Sequence, residues 1–227
     1  MRIPAFCCAL LLAASPGFAT LSSDQAKRLD ESATILGEMR RAPDTGISEE
    51  LWEKAECVIV IPSVKKAAFI VGGEYGSGVM SCRAGERWSA PVFMQLAKGS
   101  WGLQIGAQSV DLVLLVMNRR GVDKLLNNKV SLGADASVAA GPVGRSGHAA
   151  TDLQLKAEML SYSRTQGVFA GIDLSGGVLR PDKEGNERAY GPGVDAHAVV
   201  EGHNAASLPA AKGFLASLGR SARAAGN

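Results

Sequence analysis

The residues of this sequence with evident chemical potential are its basic clusters. Lys65-Lys66 falls in an expected turn between two strands, and Arg83 with Arg87 flanks another at Ala84-Gly85-Glu86. Arg119, Arg120, Lys124 and Lys129 crowd one short segment. Lys212, Arg220 and Arg223 charge a tail with no acidic residue after Glu201. Clusters of this kind are solvated faces or, beside a membrane, contacts for anionic phospholipid headgroups, where each basic residue adds about 1 kcal/mol.

Catalytic patterns are missing. No G-x-S-x-G elbow and no P-loop occurs. Gly73-x-x-Gly76-x-Gly78 invites a nucleotide reading, but that fingerprint needs a strand before it and a helix after it, and strand-like residues lie on both sides here. It reads as a glycine-rich hairpin. His148, His197 and His203 fall in loop-like or C-terminal sequence without the i, i+4 spacing of a zinc helix. The expectation is therefore no catalytic residue, no metal ligand set, no cofactor and no enzyme activity.

The elements that would carry these groups follow from periodicity. Ser22 to about Arg41 predicts a helix, with Ser22 and Gln25 as a capping box and Ala26, Leu29, Ala33, Leu36 and Met39 on one stripe. A shorter helix starts at Ser48, with Ile47 placed to staple onto Trp52. From Val58 to Asn118, apolar runs of strand length alternate with turn signals at Pro62-Ser63, Gly72-Gly73, Gly76-Ser77-Gly78, Ala84-Gly85-Glu86 and Lys98-Gly99-Ser100. Such runs predict consecutive antiparallel strands. Glycines inside them predict a strongly coiled sheet, barrel- or sandwich-like.

Val110 to Met117 has no polar residue after Asp111 and predicts a strand buried on both faces. Arg119 to Asn128 predicts a short helix with Val122, Leu125 and Leu126 inward. Residues 151–164 fit either a strand with a bend or a helix. Gly167 to Leu179 predicts a strand pair turning near Ser175-Gly176-Gly177, Pro181 to Pro192 a loop or short helix, and Leu208 to about Arg223 a basic amphipathic helix able to lie in a membrane interface. Trp88 and Trp101 open strands, as rim aromatics or core packing. The fold class is α+β, with helices at both ends of a glycine-rich antiparallel sheet.

Met1 to Ala19 has the three parts of a signal peptide: Arg2, the apolar run Ile3 to Ala14, and Gly17-Phe18-Ala19 after Pro16. Cleavage after Ala19 would export the chain. The remainder, 227 minus 19 or 208 residues, suits one domain at 20–227. Net charge is 24 minus 22, or +2, which gives no global pull toward nucleic acid. Cys57 and Cys82 remain after cleavage; they are either a disulfide or two buried thiols.

Taken in order, Ile61-Pro62-Ser63-Val64-Lys65-Lys66, Gly72-Gly73-x-Tyr75-Gly76-x-Gly78, Trp88-Ser89-Ala90-Pro91, Gly106-x-Gln108, Met117-Asn118, Leu132-Gly133-Ala134-Asp135, Ala140-Gly141-Pro142-Val143-Gly144-Arg145 and Tyr162-Ser163-Arg164-x-x-Gly167-Val168-Phe169-Ala170-Gly171 resemble the SYLF domain family over about residues 30 to 192. The resemblance implies a lipid-binding module. Eukaryotic members bind phosphoinositides and some fungal ones bind and bundle actin, while bacterial members are exported. Phosphoinositides and actin are not expected outside a bacterial inner membrane. The expectation is a periplasmic or secreted, membrane-associated protein that binds anionic phospholipid in the cell envelope. Its rivals are an envelope scaffold with a protein or peptidoglycan partner, and a hydrolase with a non-standard site.

Overall fold

A computed structural model describes residues 21–42, 46–68, 71–85, 87–101, 109–127, 129–143, 156–165, 167–202 and 208–219, with backbone alone at 66–68, 71, 72, 100 and 101. The expected signal peptide, residues 151–155 of the ambiguous segment, His148, His203, Arg220 and Arg223 lie outside these residues.

Helix α1 (Ser23–Arg41) starts as its sequence dictates. Gln25 N donates to Ser22 Oγ at 3.2 Å and Ser22 N donates back to Gln25 Oε1 at 3.0 Å, so two amides of the open first turn are satisfied at once. The buried stripe is Gln25, Leu29, Ser32, Ile35, Leu36 and Met39, rotated slightly from the expected one; Ala26 and Ala33 are only half-buried. Gln25 turns inward because its Nε2 donates to Gly185 O at 2.8 Å. Helix α2 (Glu49–Lys54) follows, with Ile47 and Trp52 buried in one cluster.

Among the described residues, ten strands form one curled sheet, a half-barrel: β1 (Cys57–Ala68), β2 (Val71–Ala84), β3 (Arg87–Trp88), β4 (Val92–Trp101), β5 (Ser109–Val116), β6 (Val130–Ser131), β7 (Val138–Ala140), β8 (Met159–Thr165), β9 (Val168–Gly171) and β10 (Gly177–Pro181). The order is β6-β10-β4-β2-β1-β5-β8-β7, with β3 beside β2 and β9 beside β8. Neighbours are antiparallel except β7 and β8. Helix α3 (Arg119–Asn127) follows β5 with Val122, Leu125 and Leu126 inward, and β5 is buried along nearly its whole length. After β10 come α4 (Lys183–Tyr190), α5 (Ala196–Val200), a 3-10 turn (Pro209–Ala211) and α6 (Lys212–Ser217).

Both faces of the sheet are covered. Cys57, Ile59 and Ile61 of β1 join α3 and α5 in one apolar cluster. Val58 and Val60, between them, join α1, α2 and α6 in the other. The period of two along a strand divides one run between two cores. Each such aliphatic side chain, fully buried, contributes about 1.5–3 kcal/mol.

Several expected turns are not turns. Pro62-Ser63 is a bulge within β1. Between Val60 and Lys65 the chain advances five residues while β2 advances four, from Val79 to Tyr75. Ser63 takes φ 51° and donates its N–H to Asp111 Oδ1 at 2.9 Å, so the extra residue is anchored and the strand continues. Gly72-Gly73 and Gly76-Ser77-Gly78 run straight within β2, and Lys98-Gly99-Ser100 within β4. The glycines serve close approach: a Cβ on Gly76 would strike Ile61 and Val64, and one on Gly78 would strike the Val60 carbonyl. Ala84-Gly85 does turn, with Gly85 at φ 63°.

The expected pairing of the strands flanking Ser175-Gly177 also gives way. β9 pairs with β8, and β10 pairs with β4 and β6 at the other end of the sheet. Curling brings the two ends close enough for residues 172–176 to cross between them. The C-terminal helix is shorter than expected within the described residues. Phe214 and Leu218 are buried in the same cluster as Leu29 and Leu36 of α1, and Arg40 Nη2 donates to Leu218 O at 2.7 Å. Its apolar face is therefore spent on α1 and is not free for a membrane interface.

Candidate functional site

The end of the sheet where β1 starts and β2 and β5 finish gathers three of the basic residues. Arg83 is the last residue but one of β2, Arg87 opens β3, and Arg119 opens α3 just after β5. Together with Trp88, Ser89, Glu201 and Gly202 they line an open cleft of about 830 Å³. Among the described residues that line it, three arginines against one glutamate leave a charge of 3 minus 1, or +2.

The arginines are not equivalent. Arg83 Nε donates to Ala55 O and Nη2 to Trp52 O, each at 2.8 Å, and its guanidinium lies 4.6 Å from the Trp88 ring centroid. It caps the exposed carbonyls at the end of α2 and stacks on the indole, so it forms the floor of the cleft. Trp88 Nε1 donates to Gly219 O at 3.1 Å, which ties the C-terminal segment to the same corner. Arg87 and Arg119 are exposed and supply the charge that a ligand would meet. Ser89 Oγ accepts from Cys82 N at 3.0 Å and Ser81 Oγ donates to Ser89 O at 2.8 Å, which holds the strand leading out of β3 against β2. At the same end of β1 and β2, the Cys57 and Cys82 sulfurs are bonded, across partners in the strand register.

The other basic residues lie elsewhere. Lys65, exposed, lies not in a turn but within β1, paired with β2 on one side and β5 on the other, eight positions beyond Cys57, roughly 25 Å away at the rise of a strand. Lys66 is in the same strand, with its backbone alone described. Arg120 is exposed on α3. Lys124 is committed: its Nζ lies 2.9 Å from both Glu158 carboxylate oxygens and donates to Asp135 O at 2.6 Å. Burial pushes the Glu158 carboxyl up, but the Lys124 ammonium and the Ser137 amide outweigh it and hold it below its ordinary value. Lys129 lines a second cleft of about 740 Å³ with Arg180 and Lys183, two cations whose only sequence signal is that they flank Pro181-Asp182. Lys212 is exposed on α6. Lys65 and Arg119 thus occupy opposite ends of the sheet and form no single patch. Trp88 is half-buried in the cleft wall, while Trp101 contributes backbone pairing with Val71.

Among the described residues, no group of His, Cys, Asp and Glu is placed to hold a metal ion, and no helix is long and apolar enough to cross a membrane.

The whole is a curled sheet covered by helices on both faces, with basic side chains around open clefts. Residues 97–221 match the family model described as Ysc84, Las17-binding protein actin regulator, and the chain belongs to that family, the SYLF family of the sequence resemblance. It is 36% identical over 172 residues to the SH3 domain-containing YSC84-like protein 1 of Xenopus laevis, a match covering 75% of this chain and 50% of the relative. The human protein of the same name is 32% identical over 179 residues, covering 78% and 52%. LAS seventeen-binding protein 3 of Saccharomyces cerevisiae is 30% identical over 163 residues, covering 70% and 35%. The chain thus spans about half, or less, of the curated relatives it matches. The family description names a Las17-binding protein and actin regulator, and the yeast relative's name is that of a binding protein.

Proposed function

We propose that this chain is an exported, non-enzymatic domain of the bacterial cell envelope that binds anionic phospholipid surfaces through the arginine cleft. The observation that carries the reading is the convergence of Arg83, Arg87 and Arg119, from three separate elements, on one open cleft beside Trp88. Fixed cations beside an amphipathic indole suit the headgroup region of a membrane. The Cys57–Cys82 bond suits an oxidising compartment, in line with a signal peptide ending near Ala19. The family's description names Las17 binding and actin regulation, and headgroup phosphate is the acidic ligand that an envelope offers.

The test is flotation of the purified protein with phosphatidylcholine vesicles of rising phosphatidylglycerol content. Binding should grow with anionic lipid and fall with added salt. Arg87→Gln with Arg119→Gln removes two surface cations, about 2 kcal/mol or roughly 30-fold in partition. Lys129→Gln, in another cleft, should leave partition nearly unchanged. Equal partition of the double variant and the parent would refute the site.

A second reading is an envelope scaffold that recognises a protein partner, favoured by the protein-binding names of the relatives. Partners that survive detergent in a pulldown from envelope extract would favour it.

A further inference from the structure

The opposite end of the sheet holds a smaller cleft of about 290 Å³, walled by the first two turns of α1, the bulge of β1 and the middle of β2. Arg28 lines it from the helix, Lys65 and Ser63 from β1, and Tyr75 and Ser77 from β2. Arg28 is unusual for a surface helix. Its Nη1 is buried and, among the described residues, has no hydrogen-bond partner. Its guanidinium carbon lies 5.9 Å from the Phe93 ring centroid. Burial lowers the Arg28 pKa, and Asp182 is the largest charge acting the other way. The Asp182 carboxylate, however, accepts the Gly185 N–H at 3.1 Å as the cap of α4. On the rim, Glu31 is engaged with Lys27 at 3.6 Å and Asp24 stands in the first turn of α1. A partly desolvated cation with an unmet donor is costly unless something brings it an acceptor.

The remaining walls supply donors of the matching kind. Tyr75 is 49% exposed, and Ser77 Oγ donates to its hydroxyl at 3.5 Å, a long contact easily exchanged. Lys65 is exposed and lies opposite Tyr75 in the strand register. We propose that this cleft is a second binding site, separate from the arginine cleft, that takes a single oxyanion, the carboxylate or phosphate of a small molecule or lipid headgroup. Arg28 anchors the oxyanion, and Lys65, Tyr75 and Ser77 complete its shell. The volume suits one headgroup-sized ligand and no larger molecule.

The test follows the Tyr75 ring by NMR while the full chain is titrated with inorganic phosphate, acetate and glycerol 3-phosphate. At least one should give a saturable shift and a higher melting temperature, since a ligand bound only by the native state stabilises it. Arg28→Gln should weaken that binding roughly tenfold, and Lys65→Gln or Ser77→Ala by a smaller factor. If Arg28→Gln does not melt cooperatively, Lys65→Gln serves in its place. Phosphatidic acid vesicles identify the source. Partition that drops with Arg28→Gln and is displaced by glycerol 3-phosphate assigns a headgroup, while partition indifferent to Arg28 assigns the free anion. No saturable shift with any of the three, or equal affinity in a folded Arg28→Gln protein, would overturn the proposal.

Discussion

Reducing the Cys57–Cys82 bond is the perturbation whose size follows most directly from the structure. The two residues are 25 apart in sequence, and a cross-link closing a loop of that size removes about 3.5 kcal/mol of chain entropy from the unfolded state. A domain of ordinary stability has only about 5–15 kcal/mol in all, so the bond decides whether the fold is robust or marginal. Both sulfurs are fully buried in the same apolar cluster, so reduction leaves the packing atoms in place and isolates the covalent term. The assay is urea unfolding of the oxidised protein and of protein reduced in denaturant and refolded under reductant, with thiols titrated to verify each state. The midpoint should fall on reduction by an amount that, multiplied by the slope, returns about 3 kcal/mol. A midpoint that moves by less than about 1 kcal/mol equivalent would refute the argument. It would also remove the physical advantage that an oxidising compartment offers this chain.

Other outcomes follow from single contacts. Asn186 Oδ1 accepts from Phe93 N at 2.8 Å, and its Nδ2 donates to Phe93 O at 2.9 Å and Asp182 O at 2.8 Å; Asn186→Ala leaves a buried amide without an acceptor and should cost about 2–4 kcal/mol in denaturant unfolding. The Glu158 carboxyl is held below its ordinary value of 4.5, so the native state binds its proton less readily than the unfolded state. Its contribution to stability is present above that value and is lost as pH falls below it; the acid limb of a stability–pH curve should be shallower in Glu158→Gln. Gly78→Ala places a methyl against the Val60 carbonyl and should lower the thermal midpoint by several degrees, an overpacking cost of about 1–3 kcal/mol.

What the sequence determined by itself is local. The capping box and apolar period of α1, the doubly buried run of β5 and the inward face of α3 all follow from spacings within one element, because a helix or strand presents its faces at a set period whatever lies opposite. What only the tertiary structure decided involves distant partners. Pro62-Ser63 reads as a turn until Asp111, 48 residues on, anchors it as a bulge. The glycines of β2 read as turns until β1 is laid against them. Gly167 to Leu179 reads as one hairpin until the curl of the sheet sends its two strands to opposite ends. Among the basic residues, sequence distinguishes neither Lys124, neutralised by Glu158 34 positions away, nor Arg83, bound to the end of α2, from Arg87 and Arg119. Charge is written in the sequence, but whether it faces solvent or a counter-ion depends on which distant segments the sheet brings beside it.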